Sequence, residues 1–416
     1  MDEQKKDVPY NAPWAKNLAY RPDPNRVSSL QVPTPGEFVQ RPPAGGEIPA
    51  DPATLHGVVV PEVSSAVDPQ KPVAEPSYYD VPILKKPVWK WEIASYFFLG
   101  GLSAGAYVLG RAAERAGGEK YRDLTRMAAN VALGTLIPCP PLLIHDLGDP
   151  KRFHHMLRVW KPSTPMNFGT WSIVAYSGMA AYEVVRQYLS ENERRLPQAH
   201  KSALVKLMNN GTLLLLHDAA GMTFSLLVAG YTGVLLSCTA NPLWSKNPYL
   251  GPLFSASAIA SGAEAVSLAL DVFGSDDEDH SHSQEALRKI DTIAHIAEMA
   301  LMQGMLKTAG EKAKPLTHGG MKNYHRLSKG GIIAAEAIKL LPVPRPMKRP
   351  MRLMWNLLGL AAGFSMRWGM VMAGHEAAAD PHLSRLASRT GDAVNGPREK
   401  TRSHPRVASR SRRARP

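Results

Sequence analysis

Glu92-Ile-Ala-Ser-Tyr-Phe-Phe-Leu-Gly-Gly-Leu-Ser-Ala-Gly-Ala-Tyr-Val-Leu-Gly110 is the stretch that decides the fold. After its first residue no charge appears through Gly110, and Phe97, Phe98, Leu99, Leu102, Val108 and Leu109 supply surface for lipid. Gly100, Gly101, Ser103, Ala104, Gly105 and Ala106 form a small-residue face that lets another helix approach closely. Trp89 and Trp91 precede it, where aromatic rings suit the boundary between membrane and water. The stretch therefore reads as a membrane-spanning helix.

Seven comparable stretches follow, at about 126–144, 167–186, 207–238, 250–270, 287–306, 330–341 and 353–375. The second contains Pro138, Pro140 and Pro141, which must bend or break it. The seventh falls short of the roughly 20 residues a crossing requires, so it spans only if its helix extends upstream. The expected fold is all-α, a polytopic membrane helix bundle of about eight transmembrane helices occupying residues 88–378. Residues 1–87 are rich in proline and lack any periodic apolar pattern, which predicts an extended, disordered arm. Residues 1–80 also lack the short apolar core of a secretory signal.

The chain has 416 residues and a net charge of +13. From Pro381 onward there are ten basic and two acidic residues, so much of the excess sits in this tail. A Ser/Arg/Pro-rich segment without apolar period predicts a disordered tail over 379–416 rather than a nucleic-acid surface. Cys139 and Cys238 are the only cysteines, too few and too separated for an iron–sulfur or zinc site. No metal site is expected.

Between the second and third spans lies His145-Asp-Leu-Gly-Asp-Pro-Lys-Arg-Phe-His-His155. Hydrocarbon cannot satisfy such groups, so they belong in water, against a partner, or around a polar ligand at the membrane edge. Alternating crossings place Glu92, Tyr96, His145, Asp146, Asn167, Trp171 and Tyr231 near one membrane boundary, here called face A. Both chain ends fall on the same face. Face B collects Arg111, Arg115, Arg122 and Arg126 with later basic loops, which favours B as the cytoplasmic side.

The segments Trp91–Gly105, Asp146-Leu-Gly-Asp-Pro-Lys-Arg-Phe153, Ser163-Thr-Pro-Met-Asn-Phe-Gly-Thr-Trp171, Tyr231-Thr-Gly-Val-Leu-Leu236 and Asn241-Pro-Leu-Trp244 occur in that order. Together, with a weaker match at Met366-Arg367, they resemble the NrfD-like family, the membrane subunits of polysulfide reductase and related quinone-linked complexes. The resemblance implies an integral membrane subunit of a respiratory oxidoreductase complex, in anaerobic respiration, in a bacterial or archaeal inner membrane. It implies a quinone/quinol site (menaquinone or ubiquinone) near an outward face A. It further implies an iron–sulfur ferredoxin-like partner and a catalytic or cytochrome subunit, with no haem or cluster held by this chain. In the polysulfide-reductase branch the first span offers Asn and His where this chain has Ile93 and Tyr96.

Oxidising a quinol removes two electrons and two protons, so a site needs hydrogen-bond partners and a proton acceptor connected to water. Glu92, His145 and Asp146 are the candidates for proton handling, since an imidazole changes charge near neutral pH and a carboxylate can orient it. Tyr96, one turn after Glu92, shares its side of the helix, and with Asn167, Trp171 and Tyr231 forms the candidate quinone-binding set. Each has a plainer reading: Glu92 as an interfacial carboxylate paired with Lys90 or Arg152, His145-Asp146 as a helix stop, the aromatics as interface anchors. Competing functions are a passive anchor for the iron–sulfur partner, or a proton or solute transporter. His217, Asp218, Glu264, His295, Glu298, Glu336 and Arg367 fall within spans and must face inward and pair, as a structural network or a proton path. Glu183, near the end of the third span, is expected to reach water.

Overall fold

The structure is a computed structural model. It describes residues 81–161, 163–192, 205–274, 278–342, 344 and 347–395, in backbone only at 278–279 and 389–395. Its main helices are α1 Trp91–Gly117, α2 Arg122–Leu136, α3 Cys139–His145, α4 Pro165–Glu191 and α5 Gly211–Ser237. There follow α6 Leu250–Phe273, α7 Glu278–Ala309, α8 Lys322–Lys339, α9 Lys348–Ala379 and α10 Pro381–Asn395. Among the described residues every regular element is helical. The stretches Trp91–His145, Gly211–Ser237, Leu250–Phe273 and Lys348–Ala379 are long and apolar enough to cross a membrane.

Helix occupies each stretch that the sequence marked as apolar, with informative differences at the ends. The break at Pro138 is present: α2 closes at Leu136, and α3 restarts with Pro140 and Pro141 in its first turn, where no amide donor is needed. Helix α5 begins at Gly211 because the Asn210 side chain accepts from the Thr212 and Leu213 amides, at 3.0 and 3.3 Å. Helix α8 starts upstream at Lys322, and α7 at Glu278, well before the apolar run at 287.

The arm read over 1–87 lies outside the described residues as far as 80. Residues 81–90 carry no helix before Trp91. The tail read as disordered from 379 is corrected in its first part, where α10 forms. Asp380 explains it: its carboxylate accepts from the His382 and Leu383 amides at 2.8 and 3.2 Å, Pro381 occupies the first helical position, and Leu383 and Ser384 are buried.

Helices α1 and α6 form the centre, each packed against four or more others. Their crossing depends on missing side chains. A Cβ on Gly105 would run into the Ala258 carbonyl, and one on Gly262 into the Gly105–Ala106 backbone. Close backbone approach maximises van der Waals contact where lipid offers no hydrophobic drive for helix association. Phe97 meets Phe254 edge-on at 6.0 Å beside this crossing.

On face B, Arg111 of α1 reaches Glu183 of α4 at 2.7 Å and Asp218 of α5 at 2.6 Å. Arg115 also pairs with Asp218, and Arg186 with Glu183 at 2.7 Å. Glu183 therefore does not reach water: it is buried, because two arginines come to it. His217 joins this network through Asp218 at 3.4 Å and the Met179 carbonyl at 3.1 Å.

Candidate functional site

Glu92 opens α1 and is buried, with 4% of its surface exposed. Its partner is neither Lys90 nor Arg152: Oε1 lies 2.9 Å from Nδ1 of His145, at the last residue of α3. The imidazole is itself 69% exposed, so it joins a buried carboxylate to water. The other carboxylate oxygen, Oε2, is buried without a hydrogen-bond partner. An isolated ionised carboxylate in such a place is costly, and the pairing offsets only one oxygen.

Asp146 follows directly, half-buried and hydrogen-bonded to the Lys90 backbone. Burial, then the neighbouring Glu92 charge, pushes its carboxyl above the ordinary range, against the opposing pull of Lys90 and His145. Glu92, His145 and Asp146 thus form one group, where α3 packs against α1. Tyr96, buried one turn below Glu92, lays its ring over Gly100 and close to Cys139.

Asn167, Trp171 and Tyr231 form a second group, at the start of α4. Asn167 Nδ2 donates to the Val159 carbonyl at 2.9 Å, and its Oδ1 accepts from the Lys161 amide at 2.7 Å. Trp171 Nε1 donates to the same Val159 carbonyl at 3.4 Å, its ring set edge-on to Trp160. The Tyr231 hydroxyl donates to the Pro165 carbonyl, and Gly169 makes room for its ring. These groups fix the loop before α4 and the α4–α5 contact. No hydrogen bond among the described residues joins them to Glu92 or His145. Tyr231 also borders an apolar groove of about 480 Å3 between α4, α5 and α6, with Phe168, Leu226, Val234 and Pro252 in its walls.

A third set of contacts at this end lies outside the residues singled out as site candidates. Asn241 Nδ2 donates to the Gly374 carbonyl at 2.7 Å, and Trp244 Nε1 to the Met370 carbonyl at 3.0 Å. Trp244 stacks on Trp89 at 5.7 Å, and His375 Nε2 lies 2.6 Å from the Trp89 carbonyl. The Asn-Pro-Leu-Trp turn thereby ties the α5–α6 loop to the end of α9 and the entry to α1. The Asn241-Pro-Leu-Trp244 motif was its signal in the sequence, with no partner indicated.

The family model described as polysulphide reductase, NrfD, matches residues 82–378. The chain belongs to the NrfD family. It is similar to the C subunit of the polysulfide reductase of Wolinella succinogenes, 28% identical over 178 residues, which cover 42% of this chain and 56% of that protein. It is likewise similar to Protein NrfD of Escherichia coli K12, 28% identical over 195 residues, covering 44% of this chain and 59% of the relative. The aligned part thus spans under three-fifths of these curated relatives. Family and long apolar helices together make this NrfD protein a multi-pass inner-membrane helix bundle.

Proposed function

We propose that this NrfD protein is the quinone-reactive membrane subunit of a respiratory oxidoreductase complex, exchanging electrons between the quinone pool and an iron–sulfur partner on face A. The observation that carries this reading is Glu92: a buried carboxylate with one oxygen on a water-exposed imidazole and the other without a partner. Such a pair can take a proton from a buried hydroxyl and release it to water. Membership of the family, and the polysulfide reductase named among the relatives, supply the redox context.

The residues present fit a quinone. Glu92 Oε2 is an unused acceptor, and the groove beside Tyr231 has the size and apolar walls of a small-molecule site. A bound quinol would supply two electrons and two protons. Glu92 would receive the two protons one after the other, and His145 would pass each outward by taking it at Nδ1 and releasing one from its exposed ring edge. Asp146 would steady the positive imidazolium, and the two electrons would go to the partner's iron–sulfur centre. Tyr231 aligns the ring in the groove, while Asn167 and Trp171 act indirectly by fixing the loop before α4. The chain crosses the membrane eight times, with α2 and α3 forming one crossing, and face A points outward.

A passive anchor remains the second reading, favoured by Asn167, Trp171 and Tyr231 all being engaged in local structure. One experiment separates the two. In the purified complex, quinol is added and reduction of the partner's iron–sulfur centre is followed. Glu92→Gln and His145→Ala are expected to slow it by about 10²-fold or more while the partner stays bound. Wild-type rates in both variants would leave only the anchor.

A further inference from the structure

The face-B end of the bundle holds a cavity that the Glu92 site does not use. It measures about 750 Å3 and lies among the start of α7, the end of α8 and the start of α9. That is the size of a small-molecule site. Lys348, Arg352 and Trp355 line it from α9, at spacings of four and three that put them on one face of the helix. Gln284 and Arg288, four apart on α7, line it from that helix, and Lys339 from α8.

The lining is basic. It carries Arg288, Lys339, Lys348, Arg349 and Arg352 against one carboxylate, Glu285. Three of the five cations have acidic partners: Arg288 pairs with Glu285 at 2.9 Å, Lys339 with Asp291 at 2.5 Å, and Arg352 with the buried Asp271 at 2.5 Å. Lys348 and Arg349 are exposed and pair with no carboxylate among the described residues. The Arg349 guanidinium donates to the Asp271 backbone carbonyl, which orients it and leaves its charge uncompensated. Two cations at the cavity are therefore open to an anion from outside.

The same helix ends are apolar on their outer side. Leu340 and Leu341 close α8, Met347 and Met354 stand at the start of α9, and all four are exposed. Trp355 is half-buried in the cavity wall, and indole rings favour the headgroup level of a bilayer. A free phosphate needs only the cations. Cations beside exposed apolar side chains, at the level where the helices leave the membrane, suit a phosphate that carries acyl chains. With face A outward, this end meets the cytoplasmic leaflet, where basic pockets between helices take anionic headgroups.

We propose that this cavity binds the headgroup of an anionic phospholipid, of the phosphatidylglycerol or cardiolipin class. Lys348 and Arg349 hold the phosphate, and the acyl chains lie along Leu340, Leu341 and Met354. Arg352 acts from beneath: its pair with Asp271 ties the start of α9 to the end of α6 and keeps the two free cations at the cavity. The lipid bridges the ends of α7, α8 and α9, and its binding stabilises this half of the bundle by mass action. The site does not depend on the quinone reading.

The full chain in phosphatidylcholine nanodiscs is titrated with cardiolipin, with phosphatidylglycerol or with inorganic phosphate. Bound lipid is counted by native mass spectrometry, and the thermal midpoint is followed in parallel. An anionic lipid is expected to stay bound and to raise the midpoint, and millimolar phosphate to do neither. The paired substitution Lys348→Ala with Arg349→Ala should weaken binding about 30-fold, roughly 5-fold for each cation. Lys348→Ala alone, at an exposed side chain, should still cost about 5-fold if the pair does not fold. Lys120→Ala with Arg122→Ala, elsewhere on face B, should leave binding unchanged. Full binding in both Lys348 variants, or equal loss in the Lys120 and Arg122 control, would overturn the site. So would a midpoint raised by phosphate alone, or no bound anionic lipid, as when the acidic run 276–279 takes these cations.

Discussion

Glu92 at the start of α1 and His145 at the end of α3 meet at 2.9 Å, one buried and the other largely in water. The contact joins residues 53 positions apart, one on α1 and one on α3, which pack against each other. The pairing makes the carboxylate tolerable at the membrane edge and gives it an outlet to water.

Removing the imidazole leaves Glu92 buried without its partner. His145→Ala is expected to lower stability by ~1–3 kcal/mol, read as a fall in thermal midpoint in detergent. The double variant with Glu92→Gln should recover part of that loss, because no charge is then stranded. Equal losses in the single and double variants would show that the two residues do not interact.

Asp146 predicts a pH dependence. Its carboxyl is raised in the folded protein by burial and by Glu92, so between the ordinary carboxylate value and that raised value the folded state binds more protons than the unfolded one. Stability therefore falls as pH rises through this window, and the contribution is fully present below it. Asp146→Asn should flatten the slope in a series of denaturation midpoints from acid to neutral pH. An unchanged slope would remove the effect.

Arg111 binds three helices through Glu183 and Asp218 while almost wholly buried. Arg111→Ala takes one partner from each carboxylate, leaving Glu183 to Arg186 and Asp218 to Arg115, and a loss of ~1–3 kcal/mol is expected, measured by thermal unfolding. Arg115→Ala, at a half-exposed position sharing only Asp218, should cost far less.

The α1–α6 crossing gives a steric prediction. Gly105→Ala forces a methyl group into the Ala258 carbonyl and should destabilise by ~1–3 kcal/mol or prevent assembly. Gly178→Ala, on α4 where a Cβ meets nothing within 4 Å, should be neutral or stabilise by up to ~1 kcal/mol. Similar effects at the two positions would mean that the close approach is not needed.

The apolar runs marked where the helices lie, because a lipid-facing helix must be apolar along its length. They hid the first turns of α7 and α8, where Gln284 points inward to Ser267 and Asp271 and Ser328 is buried, polar positions that a hydropathy pattern reads as loop. Helix α10 was hidden likewise, its start set by Asp380 rather than by composition. That Glu92, His145 and Asp146 lie at one end of the helices was legible because charge beside hydrocarbon is expensive. The Glu92–His145 contact itself was not, the sequence offering Lys90 and Arg152 as partners. The hydrogen bonds of Asn167, Trp171 and Tyr231 were not legible, because their acceptors are the backbone carbonyls of Val159 and Pro165, which no side-chain pattern marks.

The central claim is that quinone binds at the face-A end of the first helices, beside the Glu92–His145 pair and Tyr231. Illumination of the membrane-embedded protein with a photoreactive short-chain quinone, followed by mass spectrometry of its peptides, tests it most directly. The account predicts labelling in the peptides that carry Glu92–Tyr96, His145–Asp146 and Tyr231, suppressed by excess unlabelled quinone. Competable labelling confined to α7, α8 and α9 would contradict it.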